Sequence, residues 1–220
     1  MNQAQGNFGI IVSGGPAPGI NCVISSSVIE SINRGYKVYG IKGGFRDIAF
    51  KGAQSVRELT INDVSAIYNT GGSILGTSRF NPFASPETSI RFLSTLESFA
   101  IDKLIVIGGE GSAYLSHQLG QLRPNFRIVH VPKTIDNDLI LPNQHPSFGF
   151  ETARYVGTEI LDTLMVDART TGRWFVVTSM GRKAGFLALG LGIASGATLT
   201  LIPEEFADRL VSVSELAKII

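Results

Sequence analysis

The stretch LIVIGGEGS at residues 104–112 decides the fold, together with IVHVPKTIDND at residues 128–138. Each stretch opens with a short apolar run rich in valine and isoleucine, which is typical of a buried strand, and then breaks into glycine or charged residues. In an open α/β sheet, ligands bind just beyond the carboxyl ends of the strands. These two strand ends offer a glycine-rich loop, carboxylates and a lysine, a combination that predicts phosphoryl transfer.

Strand-like and helix-like patterns alternate along most of the chain. This alternation predicts an α/β fold with a doubly wound, mostly parallel sheet and helices on both faces. Residues 42–55 are rich in glycine and are predicted to form a loop. Residues 174–179 and 198–201 are short apolar or β-branched runs, and each is predicted to form a strand.

Two domains are expected from the order of these patterns. Residues 1–145 are expected to form an α/β domain that binds a phosphoryl donor, and residues 146–220 the start of a second, smaller α/β lobe. A capping box beginning at Ser212 opens a last apolar helix. Because the sequence ends inside this helix, we expect the second lobe to be truncated.

Composition excludes several classes of function. Of the 220 residues, 44% are hydrophobic and 17% charged, and no apolar run approaches the roughly 20 residues that a membrane-spanning helix needs. A net charge of +1 gives no reason to expect nucleic acid as a partner. The single cysteine, Cys22, excludes an internal disulfide framework and is compatible with a cytoplasmic protein. The histidines show no ligand spacing and are interpreted as structural or exposed: His117, His130 and His145.

Two glycine-rich loops that join a strand to a helix are candidate phosphate-binding sites. They are SGGPAPG at residues 13–19 and GGEGS at residues 108–112. Glycines let backbone N–H groups approach an anion, and the helix N-terminus adds positive potential. In the second loop, Glu110 could reach a phosphate-bound Mg²⁺, and Ser112 could cap the helix or bind a phosphate. Taken alone, the first loop is a weak signal, and the alternative is an ordinary tight turn at the edge of the sheet.

The run PKTIDND at residues 132–138 is the most specific signal. Phosphoryl transfer needs positioning, charge neutralisation and a base near the acceptor hydroxyl. Asp136 is the candidate base, and Asp138 could orient Asp136 or a metal-bound water. The alternative is a turn in which the Asp and Asn side chains bond to their own backbone.

Cations at other loops suit an anionic substrate. Arg79 ends the flexible loop at residues 71–79 and could clamp phosphate oxygens. Arg182 and Lys183 lie where a predicted strand turns into a helix. Arg79 and Arg173 could instead be solvated surface charges.

These motifs give the chain a resemblance to the 6-phosphofructokinases over nearly all of its length. Four matches follow the order of that family, at residues 14–21, 108–112, 134–138 and 180–182. Such enzymes transfer a phosphoryl group from ATP or pyrophosphate to the 1-hydroxyl of fructose 6-phosphate, giving fructose 1,6-bisphosphate in glycolysis. The resemblance implies Mg²⁺ as cofactor and a homodimer or homotetramer.

The resemblance also implies roles for individual residues. Asp136 is similar to the catalytic base of the family, while Lys133 and Arg79 spread developing charge and Glu110 holds the metal. The implied contacts to the phosphoryl donor are Gly15, Arg79, Phe80, Gly109, Glu110, Gly111 and Ser112. The implied contacts to the sugar phosphate are Thr134, Ile135, Asp136, Met180, Gly181 and Arg182, and Arg173 resembles a residue that reaches a neighbouring subunit's sugar site.

Three positions bear on the metal and on the donor. Many members of the family carry Asp where this chain has Glu110. Pyrophosphate-using members commonly carry Asp at the position of Gly111, where it would crowd and repel the α-phosphate of ATP. Gly111 therefore favours ATP on steric grounds, whereas Lys133 neutralises charge on either donor. The run at residues 152–158 looks more like the pyrophosphate-using branches.

Other interpretations remain open at this point. The donor could be pyrophosphate alone. A lipid or NAD kinase also uses a glycine-rich loop of this kind, although neither explains residues 134–138 followed by residues 180–182. A non-catalytic, nucleotide-binding regulatory paralogue is the third alternative. In the kinase interpretation, Asp136 and the loop around Glu110 open onto one cleft, and the isolated piece is expected to be inactive.

Overall fold

The computed structural model describes residues 6–206 and 211–219. The chain divides into two compact units, Met1–Lys133 and Thr134–Ile220. This division falls earlier in the chain than residue 145, where the first domain was expected to end.

Strands and helices alternate through the first unit, as the sequence pattern predicts. Its strands are β1 (Asn7–Val12), β2 (Lys37–Ile41), β3 (Val56–Leu59), β4 (Ile101–Gly108) and β5 (Arg127–Thr134). Its helices are α1 (Ile20–Asn33), α2 (Gly44–Lys51), α3 (Ile61–Val64), α4 (Pro86–Ser98) and α5 (Glu110–Leu122). The strands lie in the order β3-β2-β1-β4-β5, and all neighbours are parallel except β3 and β2. The predicted mostly parallel α/β sheet is confirmed.

Both faces of this sheet are buried under helices. In β1, Ile11 packs on one face with residues of α2, α4 and α5, including Phe92. Its neighbours Ile10 and Val12 pack on the other face with residues of α1 and α3, including Ile24. Successive side chains of a strand point to opposite faces, so these fully buried residues require cover on both sides. The doubly wound arrangement therefore follows from the unbroken apolar run in β1.

The prediction of a loop at residues 42–55 is wrong, because α2 occupies its centre. Phe45 and Ile48 are three residues apart and both are buried, as one face of a helix requires. Gly43 and Gly44 have φ angles of +66° and +63°, a conformation that glycine adopts readily. These glycines mark the turn into the helix, and they hide its apolar spacing in the sequence.

The second unit is mainly helical. It contains β6 (Phe148–Gly149), α6 (Phe150–Thr171), α7 (Phe186–Ser195) and α8 (Val213–Ile219), and α6 packs against α7. The predicted capping box before α8 is confirmed, since the Glu215 carboxylate accepts from the Ser212 N–H at 2.9 Å. No helix among the described residues is both long and apolar enough to span a bilayer.

The predictions of strands at residues 174–179 and 198–201 are wrong, since neither run has regular secondary structure. Val176 is 90% exposed and Trp174 is 79% exposed. A strand exists only where a neighbouring strand completes its backbone hydrogen bonds. Within residues 6–206 and 211–219, no strand pairs with either run. Their local apolar pattern is therefore not sufficient to make them strands.

Candidate functional site

The loop at residues 108–112 carries the chain from β4 into α5. Gly109 is the N-cap of α5, and no side chain caps the helix. The first N–H groups of a helix have no acceptor within it, and with the helix dipole they favour an anion. Ser112 is buried, and its hydroxyl donates to the Gly109 carbonyl at 2.7 Å. An anion would therefore be stabilised at this turn.

Lys133 brings a cation to the same place. The Lys133 ammonium group donates to the carbonyl oxygen of Gly15, and the residue is only 3% exposed. A Cβ atom built on Gly14 would lie 3.7 Å from Lys133 Nζ and 4.0 Å from the backbone nitrogen of Gly109. Two glycine-rich loops, from the ends of β1 and β4, therefore meet around one buried ammonium group at the end of β5.

A third loop places Arg79 beside these groups. The Gly14 N–H donates to the Ser78 carbonyl at 3.0 Å, and the Thr77 hydroxyl donates to the Gly14 carbonyl at 2.8 Å. These bonds join residues 77–79 to the turn after β1. A Cβ atom on Gly15 would lie 3.3 Å from Arg79 Nη2. Arg79 and Lys133 thus contact the same glycine turn, and the first unit brings together most of the predicted donor residues.

The remaining predicted donor residues differ in exposure. Phe80 is half-buried, and its ring packs against Phe50 with centroids 5.2 Å apart. Glu110 is exposed at the first position of α5. A Cβ atom on Gly111 would meet nothing within 4 Å. The open space at Gly111 and the exposed carboxylate of Glu110 lie on the same helix N-terminus.

Asn21 is a structural residue of this region to which the sequence analysis assigned no role. Asn21 is 2% exposed, and its amide donates to Thr70 Oγ1 at 3.0 Å and to the Gly71 carbonyl at 3.1 Å. Its carbonyl oxygen accepts from the Ile74 N–H at 2.9 Å. These bonds hold the glycine-rich loop that leads to Arg79. The sequence signals are a polar residue among the apolar positions of α1 and its place at the end of the family match at residues 14–21.

His130 is a second residue whose role the sequence did not indicate. His130 Nε2 lies 3.0 Å from Ser112 Oγ. Burial lowers the pKa of His130, while hydrogen bonds with the backbone of Gly108 and Gly109 act in the opposite direction. Burial is the larger effect, so the pKa of His130 lies below the ordinary histidine value, which favours the neutral ring.

Gly108→Ala is expected to disrupt the packing of the two glycine-rich loops against each other. A Cβ atom there would lie 2.6 Å from the Ser13 carbonyl oxygen and 2.9 Å from Ser112 Cβ, so backbone must move. Overpacking of this kind costs about 1–3 kcal/mol. We expect a matching loss in the free energy of unfolding, measured by urea denaturation, and weaker donor binding. The control is Gly120→Ala in α5, where the nearest atom would be Ile128 Cδ1 at 3.9 Å. An equal loss in both variants would contradict the interpretation.

The second unit begins with the TIDND loop at residues 134–138. Asp136 is 8% exposed, and its N–H donates to Thr134 Oγ1 at 3.0 Å. Ser147 braces the loop, since its hydroxyl donates to the Thr134 carbonyl at 2.9 Å and its N–H donates to Asn137 Oδ1 at 2.8 Å. These bonds hold Asn137 at a φ of +54°. No local sequence pattern marks Ser147, because it lies ten residues away from Asn137.

The second unit also joins two of the predicted motifs. Arg182 Nη1 lies 3.3 Å from Asp138 Oδ2, so the MGR turn at residues 180–182 reaches the TIDND loop. Met180 is 68% exposed, and Gly181 has no room for a side chain because the Ala184 carbonyl oxygen occupies that space. Arg173 is exposed, whereas Ile135 is partly buried. The predicted sugar-phosphate residues therefore include a positively charged turn with an open surface.

The carboxylate near the phosphate-binding turn suits a magnesium ion that is bound together with the phosphates of the substrate. The described residues contain no group of three or more His, Cys, Asp or Glu side chains placed to hold a metal. Mg²⁺ is usually bound by one or two carboxylates plus substrate phosphates and keeps several waters. The exposed Glu110, beside the phosphate-binding turn, fits that requirement.

Comparison with known proteins places these features in a family. A family model described as phosphofructokinase matches residues 7–219. The chain is 52% identical over 202 residues to the pyrophosphate–fructose 6-phosphate 1-phosphotransferase of Thermotoga maritima, a match that covers 91% of this chain and 48% of that protein. It is 38% identical over 212 residues to the ATP-dependent 6-phosphofructokinase of Chloroflexus aggregans, covering 93% and 58%. The chain thus spans about half the length of these relatives.

The fold comparison agrees with the sequence comparison. The crystal structure of Pichia pastoris phosphofructokinase in the T-state superposes with a TM-score of 0.84 at 26% sequence identity. That match covers 99% of this chain and 23% of the Pichia chain. The fold comparison and the family model therefore point to the same family.

Proposed function

Because the chain belongs to the phosphofructokinase family, we propose that the protein containing it transfers a phosphoryl group from ATP or pyrophosphate to O1 of fructose 6-phosphate. One observation carries the proposal. The Lys133 ammonium group, the Arg79 guanidinium group and the Gly109 N–H converge on the glycine turn at Gly14 and Gly15. Phosphoryl transfer requires cations and backbone N–H groups that converge on the phosphates, because they position the phosphates and neutralise their charge.

Each charged residue has a separate task in this reaction. Lys133 and Arg79 neutralise charge on the oxygens of the transferred phosphoryl group. Asp136, which follows Lys133 by three residues in the chain, accepts the proton of the sugar 1-hydroxyl. The bond from O1 to phosphorus forms as the bond from phosphorus to ADP or phosphate breaks. Glu110 would hold Mg²⁺, which supplies further charge neutralisation when bound with the donor phosphates.

The sugar phosphate is proposed to bind to the second unit. The support is the cationic turn at Arg182, beside the braced TIDND loop. The proposed contacts are Thr134, Ile135, Asp136, Met180, Gly181 and Arg182. The exposed Arg173 is proposed to serve a neighbouring subunit in a cytoplasmic homodimer or homotetramer. Light scattering on the whole protein would measure the oligomeric state, and a monomer would contradict this part of the proposal.

The identity of the donor is addressed by two observations. Open space at Gly111 would accommodate the α-phosphate of ATP. Two relatives, at 52% and 48% identity, carry pyrophosphate-dependent names. We therefore propose ATP as a donor on steric grounds, and pyrophosphate as the second candidate on sequence similarity.

Gly111→Asp is expected to discriminate against ATP. The new carboxylate would face the α-phosphate, and like charges placed together cost several kcal/mol. We expect kcat/KM for ATP to fall by about tenfold or more, and that for pyrophosphate to change much less. An acidic residue in the first turn of α5 also favours the helix, so the variant should fold. Steady-state kinetics with both donors measure the ratio.

Gly111→Ala is the matched control, because its Cβ atom meets nothing within 4 Å. We expect this variant to use both donors like the parent protein. If Gly111→Asp lowers kcat/KM equally for both donors, Gly111 does not select between them.

The proposed function is tested on the whole protein that contains this chain. It is incubated with fructose 6-phosphate, Mg²⁺ and either ATP or pyrophosphate, and fructose 1,6-bisphosphate is followed with a coupled aldolase assay. Product with at least one donor is the expected result. Binding of a donor without product from either one would instead favour a regulatory paralogue.

A further inference from the structure

His130 contacts the phosphate-binding loop at residues 108–112 from a neighbouring strand. Its Nε2 atom lies 3.0 Å from Ser112 Oγ, and its ring hydrogen bonds with the backbone of Gly108 and Gly109. The register of β4 and β5 pairs Val106 with His130, so the ring lies beside the end of β4. One side chain of β5 therefore contacts three residues of this loop.

Helix α5 has a glycine N-cap and no side-chain cap. Its first turn is closed by Ser112, whose N–H and hydroxyl donate to the Gly109 carbonyl at 3.1 Å and 2.7 Å. A serine hydroxyl has one hydrogen and can accept further bonds. With that hydrogen given to Gly109, Ser112 Oγ accepts from His130. The ring therefore fixes the Ser112 rotamer that closes the turn.

We propose that His130 is a positioning residue for the phosphoryl donor, acting through Ser112 and the backbone of Gly108 and Gly109. The inference rests on the proposed function of this loop as the donor site. His130 and Lys133 are three residues apart in β5, so their side chains leave the strand on opposite faces. Lys133 supplies charge to the phosphates, whereas His130 holds the first turn of α5 through Ser112 on the other side of the strand.

The surroundings of His130 allow it to be replaced without disturbing the core. His130 lines an open groove of about 540 Å³, together with Ser116, His117 and Gln121. His117 Nε2 lies 3.0 Å from Gln121 Nε2 within α5. His117 is therefore a matched control: it is the same residue type and lines the same groove, and its hydrogen bond is to Gln121.

The experiment compares His130→Phe with His130→Gln in the whole protein. Phe fills the space of the ring and removes its hydrogen bonds, whereas the Gln amide can still donate to Ser112. Calorimetry with Mg-ATP and Mg-pyrophosphate measures donor binding. We expect Kd to rise about tenfold in the Phe variant, as for one lost hydrogen bond, and to stay within about threefold in the Gln variant. The KM for fructose 6-phosphate should not change in either variant.

Two further variants separate positioning from general stability. His117→Phe should leave donor binding unchanged. In a double-mutant cycle, His130→Phe should raise the donor Kd by a smaller factor in a Ser112→Ala background than in the parent protein. The reason is that the two residues share one interaction. A lowered melting temperature with unchanged donor Kd would overturn the proposal, as would fully additive effects. If His130→Phe does not fold, the cycle is measured with His130→Ala, which also removes the hydrogen bond to Ser112.

The outcomes also separate this proposal from the proposed function. If the parent protein binds a donor but forms no product, the proposed function fails, while the Kd values still decide the role of His130. If the parent protein binds neither donor, both proposals are overturned.

Discussion

Asp136→Asn is expected to lower kcat by about 10²- to 10⁴-fold, the usual contribution of a positioned general base. The amide has nearly the same shape as the carboxylate but cannot accept the proton of the sugar hydroxyl. Asp136 is 8% exposed in a loop that Ser147 braces through Thr134 and Asn137, so the backbone should hold its position. KM for fructose 6-phosphate should change little. The coupled aldolase assay on the whole protein measures both constants.

Asp162→Asn is the matched control, since Asp162 is an exposed aspartate of α6 in the same unit. Its kcat should equal that of the parent protein. A kcat for Asp136→Asn within about tenfold of the parent value would place the base elsewhere. A melting temperature that falls in Asp136→Asn would show instead that the loop had moved.

Most of the fold could be predicted from the sequence, namely the elements that are marked by a pattern in neighbouring residues. The strands β4 and β5 could be predicted because each is an apolar run that stops at a turn. Helix α2 could not, because Gly43 and Gly44 break the pattern just before its buried positions. The run at residues 174–179 has the composition of a strand, but strand formation depends on a pairing partner that local sequence does not specify.

Only some residues of the candidate site could likewise be predicted from the sequence. Lys133 and Glu110 could be predicted because Lys133 lies at the end of β5 and Glu110 lies just beyond the end of β4. Strand ends mark the functional edge of an α/β sheet. The residues that hold the loops could not be predicted. Asn21 bonds to residues about fifty positions away, and His130 bonds to Ser112, eighteen positions away. Such pairs leave no periodic pattern in the sequence, because only the tertiary fold brings their side chains together.

Lys133→Met is the second substitution for which a large effect is expected. Methionine has a similar length and would fill the buried space, but it removes the charge that contacts Gly15 and faces Gly14. Loss of one preorganised group that stabilises transition-state charge costs about 10²- to 10³-fold in kcat. We expect a loss of this size, with a raised KM for the donor and little change in KM for fructose 6-phosphate. Steady-state kinetics with each donor measure these constants.

The control for Lys133→Met is Lys37→Met, because Lys37 is an exposed lysine at the start of β2. It removes the same charge from the protein and should leave kcat unchanged. Lys133→Arg adds a second test: it keeps the charge, but the larger guanidinium group must fit a site that is 3% exposed. Arginine and lysine are not interchangeable in such sites, so partial recovery is expected. Full activity in Lys133→Met would mean that the buried ammonium group only braces the glycine turn, and that Arg79 and the backbone N–H groups suffice for the phosphates.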